Sequence, residues 1–258
     1  MMRGARMAAT VRDIHRYPVK GLSPEALARI ALTPGEGLPG DRRFALHVAA
    51  EPFDPSAPTW LPKTDFLALM RHERLAKLAT RFDAATGVLT IERDARTVAH
   101  GDLADPAGRA VIEQFFAAFM GPEIRRMPHL VEAPGHMFSD VPAKLVSIVG
   151  LASVRDLERV TRARVDPLRF RANFHLDGLA PWEEFAWPGR EIRLGAIALR
   201  GVKRITRCAA TSVNPQTGAR DINVPLALQE GFRHVECGVY AEVLTPGAVA
   251  VGDAVTAA

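Results

Sequence analysis

The stretch RITRCAATSVNPQTGARD, residues 204–221, carries Cys208, one of only two cysteines in the chain. A thiolate is the nucleophilic and metal-binding form of cysteine, and nearby cations favour it. Arg204 and Arg207 supply that setting, with Lys203 beside them. A zinc site would need a second cysteine or a histidine within a few residues, and none stands there. If the segment continues as a strand, alternation groups Cys208 with Thr206 and Ala210 and turns Arg207 to the other face. A small buried hydrophobe near a strand end fits the same residues, so both readings stand on local chemistry.

Other polar groups look costly to bury: Lys20 in YPVKG, Arg42 in GDRR, and Arg169, Arg171 and Asn173 in LRFRANF. If FRANFHLDG is a strand, Arg171 and Asn173 share a face. A guanidinium beside an amide suits the wall of a phosphate or pterin pocket, and a salt-bridged surface strand fits equally. The eight histidines are scattered and form neither a nucleophile motif with Cys208 nor an H-x-x-x-H pair. GEGLPGDRR precedes a strand rather than a helix, so it is not a dinucleotide loop.

Short strands and turns must position these groups. From Val11 to Val48, apolar segments alternate with Pro- and Gly-rich turns, the pattern of a meander or barrel. Residues 51–65 hold four prolines and read as a loop. RLAKLATRFDAATGVLTIERD reads as a hairpin, with Ala76, Leu78, Thr80 and Phe82 on one face and a turn at 85–87. In RAVIEQFFAAFM, Val111, Ile112, Phe115, Phe116 and Phe119 have helical spacing, ended by Gly121-Pro122. The irregular PGHMFSDVPAK is a candidate boundary. A strand follows, then a helix with Leu151, Val154 and Leu157 inward, then further strand-like segments. The expectation is a mainly β chain with some α, in two parts, 9–125 and 126–257.

At 258 residues, with 48% hydrophobic and 24% charged residues, the chain can bury a real core. The net charge of +4 is spread along the sequence, leaving room for a local anion site. No basic helix, aromatic-interleaved motif or finger spacing points to nucleic acid. No stretch approaches the roughly 18 apolar residues of a membrane span. Two cysteines make no disulfide framework, and MMRGARMAAT lacks a leader's apolar region. The expectation is a reduced, cytoplasmic setting with the first eight or so residues frayed. Cys237, inside an apolar strand, reads as core.

In order along the chain, YPVKG, GLPGDRRFAL, FSDVPAKLVSIVGLASVRDL, RFRANFHLDG, PWEEFAW, IRLGAIAL and RCAATSVNPQTG resemble the MOSC family. That family takes its name from the carboxyl-terminal domain of molybdenum-cofactor sulfurases and includes the mitochondrial amidoxime-reducing component and bacterial relatives. The resemblance runs from about residue 9 to 256. It implies a β-barrel MOSC domain behind an amino-terminal β-barrel-like region, holding a molybdenum cofactor (molybdopterin) between them. Molybdenum-ion binding and pyridoxal phosphate binding are further family associations.

By the resemblance, Cys208 matches the metal-ligating or sulfur-carrying cysteine, and Lys20 and Arg42 match cationic contacts to the cofactor. Arg171 and Asn173 match a pterin-binding pair. Arg207 belongs to the field of the anion pocket, and Thr211 matches the threonine beside the metal ligand. The implied activity is reduction of a small N-hydroxylated substrate with electrons from a separate electron-transfer protein. A sulfur or cofactor carrier using Cys208 is the alternative, and a cofactor-free barrel with a vestigial site a third. The chain departs from the family at Gly21, where relatives often have serine, at Ala172, where they commonly have proline, and in the Pro-rich insertion at 51–62. It also lacks a ferredoxin-type cysteine set.

Overall fold

The computed structural model describes residues 8–257. The expectation of a frayed start therefore falls, apart from Ala8, outside the described residues. The first half runs β1 (Thr10–Arg16), β2 (Glu25–Leu27), β3 (Arg29–Leu32), β4 (Ala45–His47), β5 (Ala79–Phe82), β6 (Val88–Arg93), β7 (Arg96–Asp102), α1 (Pro106–Met120) and β8 (His129–Val131). The second runs β9 (Val146–Gly150), α2 (Leu151–Thr161), β10 (Phe174–Asp177), β11 (Glu191–Leu194), β12 (Ile197–Thr206), α3 (Val224–Phe232), β13 (Glu236–Val243), β14 (Gly247–Ala250) and β15 (Val255–Ala257).

One eight-stranded sheet, ordered β15-β11-β12-β13-β9-β10-β1-β2, dominates the second half and takes in β1 and β2 from the first. It closes on itself. Thr10 bridges Ala254, Val255 N–H donates to the Ala9 carbonyl at 2.7 Å, and Val11 N–H donates to that of Asp253 at 2.9 Å. Closure removes the free edges that β1 and β15 would otherwise expose. Alternation then sends one side of each strand inward, and Ile14, Val146, Ile148, Phe174, Leu199 and Val239 fill the barrel with almost no exposed surface. β9 and β10 are parallel, and α2 makes the crossover that parallel neighbours need. The chain is mainly β with some helix, as its turn-divided segments indicate.

A second apolar cluster lies in the first half. There β5, β6 and β7 form a meander beneath α1, and β4 pairs with β8. α1 begins at Asp105, whose carboxylate accepts the Gly108 N–H, with Pro106 in its first turn. Its buried face is centred on Ile112, Phe116 and Met120. The row Val111, Phe115, Phe119 runs along the edge of that face, so Val111 is 46% exposed rather than inward. Leu151 likewise is only half-buried, while Val154 and Leu157 are buried. The hairpin at 79–93 forms as expected, but Glu73–Lys77 is a 3-10 turn, so Ala76 is not part of its strand face.

The largest local difference is at FRANFHLDG. Pro167–Phe170 is a 3-10 turn, Arg171 sits in the left-handed region at φ 51°, and the strand starts only at Phe174. Arg171 and Asn173 therefore do not share a strand face. Cys208 also leaves the strand: β12 ends at Thr206, and Ala209–Ser212 is a 3-10 turn, which removes Ala210 from any alternation with Cys208.

Gly238 of β13 couples the barrel wall to the groups beyond it. It has φ 75°, and an added Cβ would lie 2.3 Å from the Ile148 carbonyl oxygen and 3.2 Å from Nη2 of Arg207. Gly238→Ala should therefore lower stability by about 2–3 kcal/mol through backbone strain and overpacking. Thermal unfolding of the purified variant checks this. An unchanged melting temperature would show that the strand relaxes without cost.

Candidate cation-lined thiol site

A cavity of about 370 Å³ lies where residues of the first half meet the barrel wall, and Cys208 lines it. Lys20, Arg42, Arg171, Asn173, Arg207 and Thr211 line the same cavity, so the structure gathers every site residue singled out in the sequence. They play different parts there.

Cys208 is extended, at φ −121° and ψ 179°, and starts the turn after β12. Its carbonyl accepts from the Thr211 N–H at 3.0 Å and the Thr211 hydroxyl at 2.8 Å. Thr211 thus fixes the backbone that presents the thiol. The following Asn-Pro-Gln-Thr-Gly turn is held by Asn214, whose side-chain oxygen accepts the Gln216 and Thr217 N–H groups. Arg220 then ties the loop to the first half by donating to the carbonyls of Ala209, Leu69 and Met70.

Arg42 and Arg171 both stack on Tyr17, with guanidinium carbons 4.9 and 4.2 Å from its ring centroid. Such stacking stabilises a desolvated cation without a counter-ion. Arg42 also pairs with Asp41 and donates to the Arg171 carbonyl at 2.9 Å. Arg171 donates from Nη1 to the Leu22 carbonyl at 2.7 Å, but its buried Nη2 has no partner among the described residues. Burial, with Arg42 adding repulsion, lowers the Arg171 pKa to about 10.

Asn173 is 1% exposed. Its side-chain oxygen accepts from the N–H and hydroxyl of Ser147 at 3.0 and 2.9 Å, and its amide donates to the His15 carbonyl at 3.2 Å. It fastens β1 to β9 while lining the cavity. Arg207 is similarly committed, donating to the carbonyls of Phe170 and Cys237. It props the wall behind Cys208 as well as contributing charge.

Three further residues shape the site, and local motif chemistry did not single them out. Asp140 accepts from Lys20 Nζ at 2.6 Å and lies 3.7 Å from Lys63 Nζ. Lys20 also donates to the Phe138 carbonyl at 3.0 Å. The Asp140 side chain is 46% exposed, so desolvation opposes its carboxylate only in part, and Lys20, Lys63 and Arg42 hold its pKa at about 2. Burial likewise opposes the Lys63 ammonium, but Asp140 and Cys208 outweigh it and raise its pKa. Tyr240 on β13 also lines the cavity, and burial and Asp140 push its phenol upward, keeping it a hydrogen-bond donor. Asp140 lies in the quoted FSDVPAK motif and Lys63 in the Pro-rich loop, but only tertiary pairing exposes their connection.

Among the described residues, no three His, Cys, Asp or Glu side chains converge to hold a metal ion. Cys237 is fully buried, and burial raises its thiol to about 12, so it is core. No helix among the described residues is long and apolar enough to cross a membrane.

A closed β-barrel that presents a half-buried thiol to a cation-lined cavity is the framework in which the comparisons fall. Residues 135–256 match the model of the MOSC domain. Over 130 residues it is 31% identical to mitochondrial amidoxime-reducing component 1 of Mus musculus, covering 46% of this chain and 37% of that protein. The human counterpart is 28% identical over 120 residues, covering 42% and 35%. The matches thus span little more than a third of these relatives. The solved structure of YUAD from Bacillus subtilis aligns with 97% of this chain and 96% of its own, at 14% identity and a TM-score of 0.45.

Asp140 sets the anion affinity of this cavity. Replacing it frees Lys20 from a carboxylate, so Asp140→Asn should bind inorganic phosphate about five-fold more tightly by calorimetric titration. Weaker binding would show that Asp140 instead holds the cations in a receptive arrangement. The depressed pKa also sets a pH window: the carboxylate's stabilisation is present above its ordinary 3.8 and is lost as the pH falls toward about 2. The melting-temperature gap between wild type and Asp140→Asn should narrow over that range.

Proposed function

We propose that the chain binds a molybdenum cofactor in this cavity and reduces small N-hydroxylated compounds. The supporting observation is the buried Nη2 of Arg171, without a partner on a cavity wall rich in cations. Such a donor suits the phosphate of a molybdopterin-type group, and the single thiol suits a soft metal whose other ligands come from that group. The residues present therefore fit the group that the family association implies.

Cys208 would ligate the metal, with Thr211 holding its backbone in place. Lys20, Arg42 and Arg171 would hold the anionic end, and Asn173 and Arg207 would keep the surrounding wall rigid. A cofactor bound there would supply two-electron oxygen-atom removal. The net reaction converts a hydroxylamine, two electrons and two protons into an amine and water. The electrons would come from a separate electron-transfer protein. Tyr240, kept protonated, is available within the cavity to donate a hydrogen bond to bound substrate.

Protein made in a molybdenum-replete host should carry stoichiometric molybdenum and a pterin, and Cys208→Ser should lose most of the metal without unfolding. The loaded protein should convert a hydroxylamine to an amine with a reduced dye. Sulfane sulfur on Cys208 in place of metal would favour the carrier alternative. Folded protein free of both would sink each active reading, and loaded protein without turnover would sink the reductase.

A further inference from the structure

The cavity holds more positive charge than one phosphate end requires. Arg42 is matched by Asp41, Arg169 by Asp221 at 2.6 Å, and Arg204 by Glu236 at 3.6 Å. Lys20 and Lys63 share the single carboxylate Asp140, with the shorter contact going to Lys20. Arg171 and Arg207 donate to backbone carbonyls and so keep their charge uncompensated. A phosphate monoester brings a charge of about −1.5 to −2, which leaves positive charge over, and Lys203 on the same lining adds to it.

Lys63 is the cation placed to use that surplus. It comes from the Pro-rich loop and lines the same cavity as Cys208. Its side chain is 32% exposed, so it is open to the cavity rather than sealed behind it. The loop is anchored as well. Phe53 and Leu61 pack on Phe66 and Phe138, and Lys63–Asp65 forms a 3-10 turn that leads into Phe66. The Phe53–Phe138 and Phe66–Phe138 ring centroids are 5.2 and 5.5 Å apart. Anchored aromatics limit the entropy lost when a ligand orders the loop.

We infer that Lys63 is a specificity-determining residue that selects substrates carrying a carboxylate near the group that reacts at Cys208. The inference rests on Cys208 being the reacting end of the site. It assigns the loop at 51–65 a role: the turn at its end delivers the positive charge of Lys63 to the cavity from outside the barrel. A neutral substrate gains nothing from Lys63, whereas a carboxylate gains a charge-assisted hydrogen bond in a partly desolvated place.

Alkylation of Cys208 tests the charge selection without any metal. Full-length protein from a host unable to make the cofactor is treated with iodoacetate, an anion, or iodoacetamide, its neutral analogue, and the Cys208 peptide is followed by mass spectrometry. A change in thiol ionisation alters both rates alike, so their ratio isolates attraction of the anion. Lys63→Gln should lower the iodoacetate-to-iodoacetamide ratio about five-fold, and Lys63→Arg should largely keep it. In 1 M salt the wild-type ratio should fall, because screening then acts within about 3 Å. A ratio unchanged by Lys63→Gln would overturn the proposal whatever the molybdenum content. In loaded protein, Lys63→Gln should raise KM about ten-fold for a carboxylated hydroxylamine and leave the neutral analogue's KM within about two-fold. Equal rises for the two substrates would also overturn it.

Discussion

Burying cations without a matching set of carboxylates is the constraint on which this site depends. A desolvated charge is costly unless hydrogen bonds or a counter-charge replace water. Here the replacement comes from several sources. Tyr17 lies in contact with the guanidiniums of both Arg42 and Arg171, and the carbonyls of Leu22, Phe170 and Cys237 accept from Arg171 and Arg207. To reach these positions, Arg42 and Arg171 adopt φ 49° and 51°, a backbone region unfavourable for residues with a Cβ. The local strain is sustained by tertiary hydrogen bonds, and it places two cations on one wall of the cavity.

Those tertiary bonds come from both halves of the chain, so the cavity depends on how the halves interlock. β1 is a barrel strand although it begins the chain, and Asn173 fastens it to β9 through His15 and Ser147. Directly after β1 come Tyr17 and Lys20, which are thereby set against the barrel wall. From the other side, Arg220 reaches back to Leu69 and Met70, fixing the loop that follows Cys208. The thiol and the cations are thus located relative to one another by long-range contacts, with no single element carrying the site.

This explains which features were legible in the sequence. Turn chemistry and alternation marked the β-rich chain, the 79–93 hairpin and α1, because these depend on neighbours along the strand or helix. The seven ordered motifs brought Lys20, Arg42, Arg171 and Cys208 into view, although they are far apart along the chain. Alternation failed at Arg171 because Pro167–Phe170 turns and the backbone then enters the left-handed region. It failed beyond Thr206 because a 3-10 turn follows β12. Lys63 and Asp140 stayed hidden because their meaning lies in an ion pair between two irregular segments, and neither periodicity nor spacing encodes such a pair. Asn173 could be picked out as a polar group costly to bury, but its use as a strand fastener depends on partners at positions 15 and 147.

The single cavity carboxylate has a physical rationale in the same constraint. Lys20, Lys63 and Arg42 would repel one another if nothing anionic stood among them, and the repulsion would be strongest where water is scarce. Asp140 supplies that anion from an irregular segment between Phe138 and Lys144 rather than from the rigid barrel. A carboxylate so placed keeps the cations gathered, yet its backbone is not locked into a ladder. An incoming anion with greater charge density can then compete for the same ammonium groups without disrupting a strand. The folded chain can therefore hold an anion-binding wall together in advance of its ligand, at the cost of part of that ligand's affinity.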